Sequence, residues 1–175
     1  GQWVSCHSFS ARIAAAADGQ TVYLGHLGEG LTVVSLNECL LRAAHSYVQC
    51  GMFAEAAPLY EMKNELVRAL ELYEKTEAFN KAAELADKLN NLEQAAEFYE
   101  KAGEFGQAAE RFEQANLLER AAACYVASAN KSKAAELLAR MGNTLKAAEL
   151  HLECGEFVTA GRLFVQAGAE DRAVA

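Results

Sequence analysis

An alanine recurs every thirteen residues over most of the chain, and this spacing constrains the fold more than any other feature. It fills eleven successive positions without exception, and the residue after it is also alanine at eight of them. The recurring alanines are Ala43, Ala56, Ala69, Ala82, Ala95, Ala108, Ala121, Ala134, Ala147, Ala160 and Ala173. Repetition at a fixed period is typical of repeat architectures. We therefore read the chain from residue 43 as equivalent units and number each unit from this alanine, position one.

Each unit predicts one helix of about ten residues followed by a tight turn. Large apolar residues are frequent at positions five and eleven, and with the alanines they give the spacing of three and four that marks one helix face. Position nine is often glycine or asparagine, as at Gly103 and Asn90, and these residues tolerate the left-handed conformation at a helix C-terminus. So short a connection makes consecutive helices antiparallel.

The composition agrees with a helical chain. It contains 36 alanines and one proline, the best and the worst helix formers. That proline, Pro58, leaves two arrangements open: the helix begins near Glu55, which puts Pro58 in its first turn, or the helix bends there.

A second period of 26 residues indicates that the units form pairs. The aromatic position five is Tyr47, Tyr73, Tyr99 and Tyr125 in alternate units, and His151 comes next in this series. Two helices thus form one hairpin, in which paired alanines let the backbones approach and one aromatic side chain fills the remaining gap. The predicted fold is mainly α, an α-solenoid of antiparallel short helices over residues 38–175, built from 13-residue units and 26-residue hairpins.

Residues 1–37 follow a different pattern, that of a small antiparallel β-meander. Runs rich in β-forming residues at Trp3–Phe9, Arg12–Ala17, Thr21–Leu27 and Leu31–Leu36 are separated by glycine-containing turns such as Asp18-Gly19. A sheet of three or four strands has two unpaired edge strands. We therefore expect this segment to pack against further strands or helices that lie outside it.

Two stretches resemble known families. The run from Phe9 to Leu36, with its Asp-Gly turn and the Gly28-Glu29-Gly30 before a valine-rich strand, resembles the last blade of a WD-repeat-type β-propeller, although it lacks the Trp-Asp ending and the Gly-His opening. A small β-cap or a sandwich fragment is the alternative.

The sequence Ala-Ala-Glu-Phe-Tyr-Glu-Lys-Ala-Gly-Glu-Phe at 95–105 is similar to the tetratricopeptide-like short-helix repeats that follow β-propellers in intraflagellar transport and coatomer-type scaffold subunits, and in bacterial proteins. The tetratricopeptide period of 34 and its Trp-x-x-Leu-Gly are absent, so peptide-clamp residues are not carried over. The resemblance implies a terminal propeller-blade fragment at 1–37 and a helical repeat array at 38–175. We expect this array to be truncated at its C-terminus, because the periodic pattern is still running at Ala175.

Charge and cysteine content restrict the partners. The net charge of −8 argues against binding to nucleic acid and to anionic membrane surfaces, and no stretch is long and apolar enough to insert into a membrane. Five cysteines without a Cys-x-x-Cys spacing favour a reducing, cytoplasmic compartment. The expected partners are other proteins.

No motif predicts an enzyme, a cofactor site or a metal site. Phosphate-binding, dinucleotide-binding and metalloprotease signatures are missing from the sequence. Zinc ligands normally come in pairs two to four residues apart, and only Cys6-His7 and the pair His151 and Cys154 approach this spacing. We interpret the second pair, like Cys124, as buried core residues.

Two residues depart from the repeat and are the candidate protein-binding residues. Arg111 occupies position four, where most units have leucine or phenylalanine, and His151 replaces a tyrosine. Arg111 is a charged anchor on a binding groove or, alternatively, an arginine whose alkyl stem lies along the helices.

The hypothesis is a non-enzymatic scaffold for protein–protein interaction, whose repeat surface serves the assembly of a larger complex. The alternatives are a regulatory or sensor arm of a multidomain enzyme or signalling protein whose catalytic part lies outside this chain, and a metal-dependent module.

Overall fold

The computed structural model describes the backbone of residues 4–5, 11–15, 21–26 and 30–173, and the side chains of residues 38–169, 171 and 172. The chain divides into two compact units, Gly1–Thr76 and Glu77–Ala175. The first unit contains four strands and three helices, and the second contains the remaining helices of the described residues. The fold is therefore mainly helical.

The strands pair in chain order. Strands β1 (Val4–Ser5), β2 (Ala11–Ala15), β3 (Thr21–His26) and β4 (Gly30–Ser35) form one sheet of antiparallel neighbours, in which Tyr23 lies opposite Val33. The remaining residues of the run predicted at 3–9, including Cys6 and His7, and the turn at 18–19 lie outside the described residues.

The boundary between strand and helix falls earlier than predicted. Helix α1 is Leu36–Gln49, so Leu36, which we expected to end the last strand, begins a helix. Glu38 lies in the first turn of this helix, where a carboxylate is favoured by the positive end of the helix dipole. The strand and the helix follow each other without an intervening turn, so the sequence contains no turn residues that would mark this boundary.

The predicted length of ten residues is confirmed in the next nine helices after α1 in the described chain. Helices α2 to α10 are, in order, Phe53–Met62, Leu66–Lys75, Phe79–Lys88, Leu92–Lys101, Phe105–Gln114, Leu118–Ala127, Lys131–Arg140, Thr144–Glu153 and Phe157–Gln166. A short helix α11 covers Glu170–Ala173. Each of α2 to α10 begins at position eleven of one unit and ends at position seven of the next.

The turns confirm the prediction for position nine and extend it. All ten residues at this position have a positive φ, from 56° at Glu77 to 81° at Gly103. After α5, the amide of Gly103 donates to the carbonyl of Glu100 at 3.0 Å and the amide of Glu104 donates to that of Tyr99 at 2.9 Å. This is the Schellman arrangement. After α7, Ala129 and Asn130 make the same two bonds, to Val126 and Tyr125. Glu77 shares the positive φ, although neither glutamate nor alanine favours it.

The alanines at positions one and two lie at helix–helix contacts. Ala95 and Ala96 are 0% exposed, and consecutive helices pack against each other within each unit. At position five, Tyr99 and Phe112 are buried as well, whereas Tyr47 of α1 is exposed. The paired alanines therefore set the distance between neighbouring helices, as predicted.

Pro58 lies inside a helix. Because α2 begins at Phe53, Pro58 is its sixth residue. Of the two arrangements left open, the one with Pro58 in the first turn of a helix that begins near Glu55 is therefore wrong. The pyrrolidine ring cannot donate to the carbonyl of Ala54, which costs the helix one hydrogen bond. The Pro58 side chain is exposed.

Candidate functional site

Tyrosines of alternate helices donate hydrogen bonds to acids of the preceding helix. In each case the acid stands at position six, twelve residues before the tyrosine. The pairs are Tyr73 Oη to Glu61 Oε2 at 3.2 Å, Tyr99 Oη to Asp87 Oδ2 at 3.2 Å and Tyr125 Oη to Glu113 Oε2 at 3.1 Å. The acids repeat every 26 residues, as the tyrosines do, so this spacing was a signal that the sequence offered and that we missed.

Two of these phenols, those of Tyr99 and Tyr125, have a raised pKa and are held in the protonated form. Burial, followed by the neighbouring Asp87 carboxylate, raises the pKa of Tyr99. Burial and the hydrogen bond to Glu113 raise the pKa of Tyr125 to about 12. A protonated phenol can donate to a carboxylate, and each bond ties one helix to the helix before it.

Arg111 joins the first of the two tyrosine–acid pairs in the second unit. Its Nε donates to Asp87 Oδ1 at 2.8 Å, and the two side chains are only 27% and 22% exposed. The hydrogen bond to Asp87 raises the pKa of Arg111, although partial burial opposes the shift. Asp87 of α4 thus holds Tyr99 of α5 and Arg111 of α6, and Arg140 reaches Glu113 in a similar way at 3.3 Å.

His151 occupies the tyrosine position where the acid is missing. The residue twelve positions earlier is Ala139, and the buried His151 lies instead with Nδ1 2.8 Å from Glu156 Oε2. Ser132 donates to the other oxygen of Glu156 at 3.0 Å. The polar contacts of His151 and of Arg111 share no residue, so the structure does not bring the two predicted binding residues into one site.

A second series of contacts connects alternate helices through a cation. The third residue of α7 is Arg120, which donates to Glu97 Oε1 at 2.9 Å and to Glu100 Oε2 at 3.0 Å of α5. Its Cζ lies 4.1 Å from the centroid of the Phe112 ring. The third residue of α11, Arg172, donates in the same register to Glu149 of α9 at 2.6 Å.

This series is interrupted between α7 and α9. The third residue of α9 is Lys146, and the residues 23 and 20 positions before it are Ala123 and Val126 where α5 has Glu97 and Glu100. An open groove of about 370 Å³ lies here. It is lined by Glu119, Ala122, Ala123, Val126, Leu138, Met141, Asn143 and Lys146. Neither Lys146 nor Glu119 has an ion-pair partner among the described residues.

The same interruption occurs once in the first unit. Arg68 is the third residue of α3, and the corresponding earlier positions hold His45 and Val48, with which it lines a groove of about 280 Å³. Unlike Lys146, Arg68 has an ion-pair partner within the described part of the chain: its Nη1 lies 3.6 Å from Glu65 Oε2. Its Cζ is also 5.8 Å from the centroid of the Tyr60 ring. In both units the groove occurs where the two carboxylates are replaced.

Metal and thiol chemistry has little support in the described residues. No group of three or more His, Cys, Asp or Glu side chains in this part of the chain is placed to hold a metal ion. Cys124 is buried, and burial raises the pKa of its thiol. Cys154, which we expected to be buried beside His151, is exposed, because position eight begins the turn.

The helices were also compared with the dimensions of a membrane span. None of those described is both long enough and apolar enough to cross a bilayer.

Comparison with known proteins gives no family. No protein family and no curated protein matches the chain. Among solved structures, it is similar to "Crystal structure of BtubC (BKLC) from P. vanneervenii", at 15% sequence identity and a TM-score of 0.36, over 80% of this chain and 87% of that chain. A TM-score this low does not establish a shared fold.

Proposed function

We propose that the chain is a non-enzymatic scaffold for protein–protein interaction, which uses its helical repeat surface in the assembly of a larger complex. The observation that carries this proposal is the uniform register of the helices: each of α2 to α10 buries its alanine at position one and exposes its residue at position seven. Repeat arrays of this kind derive their stability from contacts between neighbours and leave an extended surface for binding.

We further propose the finer assignment that the resemblances imply. Residues 1–37 are the terminal blade fragment of a WD-repeat-type propeller, and residues 38–175 are a tetratricopeptide-like α-solenoid. The antiparallel pairing of β1 to β4 in chain order supports the first part, and the 26-residue alternation of the tyrosine–acid pairs supports the second. The partners are other cytoplasmic proteins, not nucleic acid, and there is no direct insertion into a membrane.

Photo-cross-linking in the native host tests the scaffold. A photoreactive phenylalanine analogue is placed singly at exposed sites on three helices, Glu93, Val126 and Leu145, in the protein as the host makes it. A scaffold gives cross-links to a small, reproducible set of other proteins at one or more of these sites. Absence of any cross-linked partner at all three sites, with the protein migrating as a monomer in the extract, would contradict the proposal.

A further inference from the structure

Within the second unit, the repeat itself indicates what the groove between α7 and α9 lacks. Arg120 and Arg172, at the third position of their helices, each meet a carboxylate of the helix two places earlier. Lys146 stands in the same register, but the residues at the two acid positions, with which it lines the groove, are Ala123 and Val126. The cation is present, and the acid that balances it in the equivalent places is absent.

We propose that this groove binds a segment of a partner protein that presents one carboxylate to Lys146 and an aliphatic side chain to the floor beside it. The inference rests on the proposed scaffold function and names the chemistry of one docking site on it. The partner's carboxylate takes the place that Glu97 takes opposite Arg120 and that Glu149 takes opposite Arg172.

The floor of the groove fits the aliphatic part. Leu138 stands at position five, eight residues before Lys146, in the register that Phe112 holds beneath Arg120. Val126 is 41% exposed, and Ala123 and Met141 line the same space. An apolar side chain placed here removes this surface from water, which is the main source of affinity in small grooves.

The rim limits the charge of the partner. The exposed Glu119 also lines the groove, and it has no ion-pair partner among the described residues. One carboxylate beside Lys146 is attracted, whereas a run of acids would also face Glu119 and be repelled. The site therefore selects a single acidic residue next to an aliphatic one and disfavours a polyacidic segment.

The test is a peptide titration followed by amide NMR on the full 175-residue chain. The probe is the acetylated and amidated hexapeptide Ala-Glu-Ala-Ala-Leu-Ala, and its matched control has glutamine in place of glutamate. We expect shifts at Ala123, Val126 and Lys146, with dissociation constants on the order of millimolar. The glutamate peptide should bind about threefold more tightly, the size of effect typical of an exposed ion pair.

Three variants separate the groove from the rest of the surface. Lys146→Gln should make the two peptides bind equally, and Ala123→Glu, which supplies the carboxylate from within the chain, should weaken the glutamate peptide by about threefold or more. Lys133→Gln is the control: its ammonium lies over the Tyr125 ring, away from the groove lining, so binding should not change.

Two results would overturn the inference. The first is that the amide signals of the groove residues do not shift at a peptide concentration of about 10 mM. The second is that the glutamate and glutamine peptides bind equally to the unmodified chain. The scaffold proposal would survive either result if cross-links form at Glu93 or Leu145. Failure of the groove proposal can therefore be distinguished from failure of the scaffold proposal.

Discussion

Replacing Ala129 with glycine should stabilise the protein, although glycine is normally the weaker residue in helical proteins. Ala129 follows α7 at position nine with a φ of 60°, and the equivalent residue after α5 is Gly103 with a φ of 81°. Ala129 is exposed, so the substitution removes a methyl group that packs against little. The matched reverse change is Gly103→Ala, where an added Cβ would meet no atom within 4 Å. Both substitutions therefore test backbone conformation alone.

The magnitude follows from two opposing contributions. The left-handed conformation costs a residue with a Cβ roughly 1–2 kcal/mol. Glycine gains freedom in the unfolded chain, which offsets about 0.4–1 kcal/mol of this. Ala129→Gly should therefore raise the free energy of unfolding by about 0.5–1 kcal/mol, and Gly103→Ala should lower it by a similar amount.

A further control uses the same substitution six residues earlier. Ala123 is exposed in the middle of α7, where glycine costs about 1 kcal/mol relative to alanine. Urea unfolding followed by circular dichroism measures all three variants, and an unchanged m-value shows that the midpoint shift reports stability. If Ala129→Gly and Ala123→Gly both destabilise to the same extent, the left-handed turn at position nine is not the conformation that limits stability, and the reasoning fails.

Three further substitutions probe the packing, the buried phenol and the proline. Ala108→Leu overpacks a contact at which the alanine is 0% exposed and should cost about 1–3 kcal/mol in urea unfolding, whereas a neutral result would place this face in solvent. The pKa of Tyr125 is raised from its ordinary 10.0 to about 12, so the phenol stabilises the fold fully below pH 10.0 and this contribution is lost as pH rises towards 12. Subtracting the tyrosinate absorbance titration of Tyr125→Phe from that of the unmodified chain should give a midpoint near 12, and a midpoint near 10 would contradict the burial. Pro58→Ala should restore a donor for the carbonyl of Ala54 and stabilise α2 by about 1–3 kcal/mol, measured as a rise in the urea midpoint, while no rise would mean that the helix already accommodates the ring.

Much of the helical architecture could be predicted from the sequence because the repeat signals are local. The bond pattern that ends α5 at Gly103 needs only a residue that tolerates positive φ, and position nine carries such a residue in most units. The repeat register then predicts a residue of positive φ at Glu77 and Ala129 also, although neither residue type favours that conformation. Repetition of the period carries information that no single unit contains.

The cross-helix contacts could not be predicted in the same way. Glu97 is four residues before Lys101, and this spacing predicts an ion pair on one helix. It does not predict that the Glu97 carboxylate accepts from Arg120 of α7, as it does in the structure. Asp87 likewise meets a guanidinium 24 residues away. Such contacts depend on which face of a helix is turned towards the helix two places along, and this is set by packing geometry that a one-dimensional pattern does not specify.

Buried and polar positions are separate in this repeat, so the proposed docking groove between α7 and α9 requires no change in how the helices pack. The alanines at positions one and two are buried in α7 as they are in α5, so the helices pack in the same way in both. The difference lies at positions three and six, where Glu97 and Glu100 are replaced by Ala123 and Val126. Because these positions face the cation of a later helix and not the alanine contact, changing them opens a groove without disturbing the packing. A groove can thus be introduced into a repeat array by removing one ion pair between alternate helices. The loss in folding stability is then limited to about the 0–1 kcal/mol that an exposed ion pair contributes.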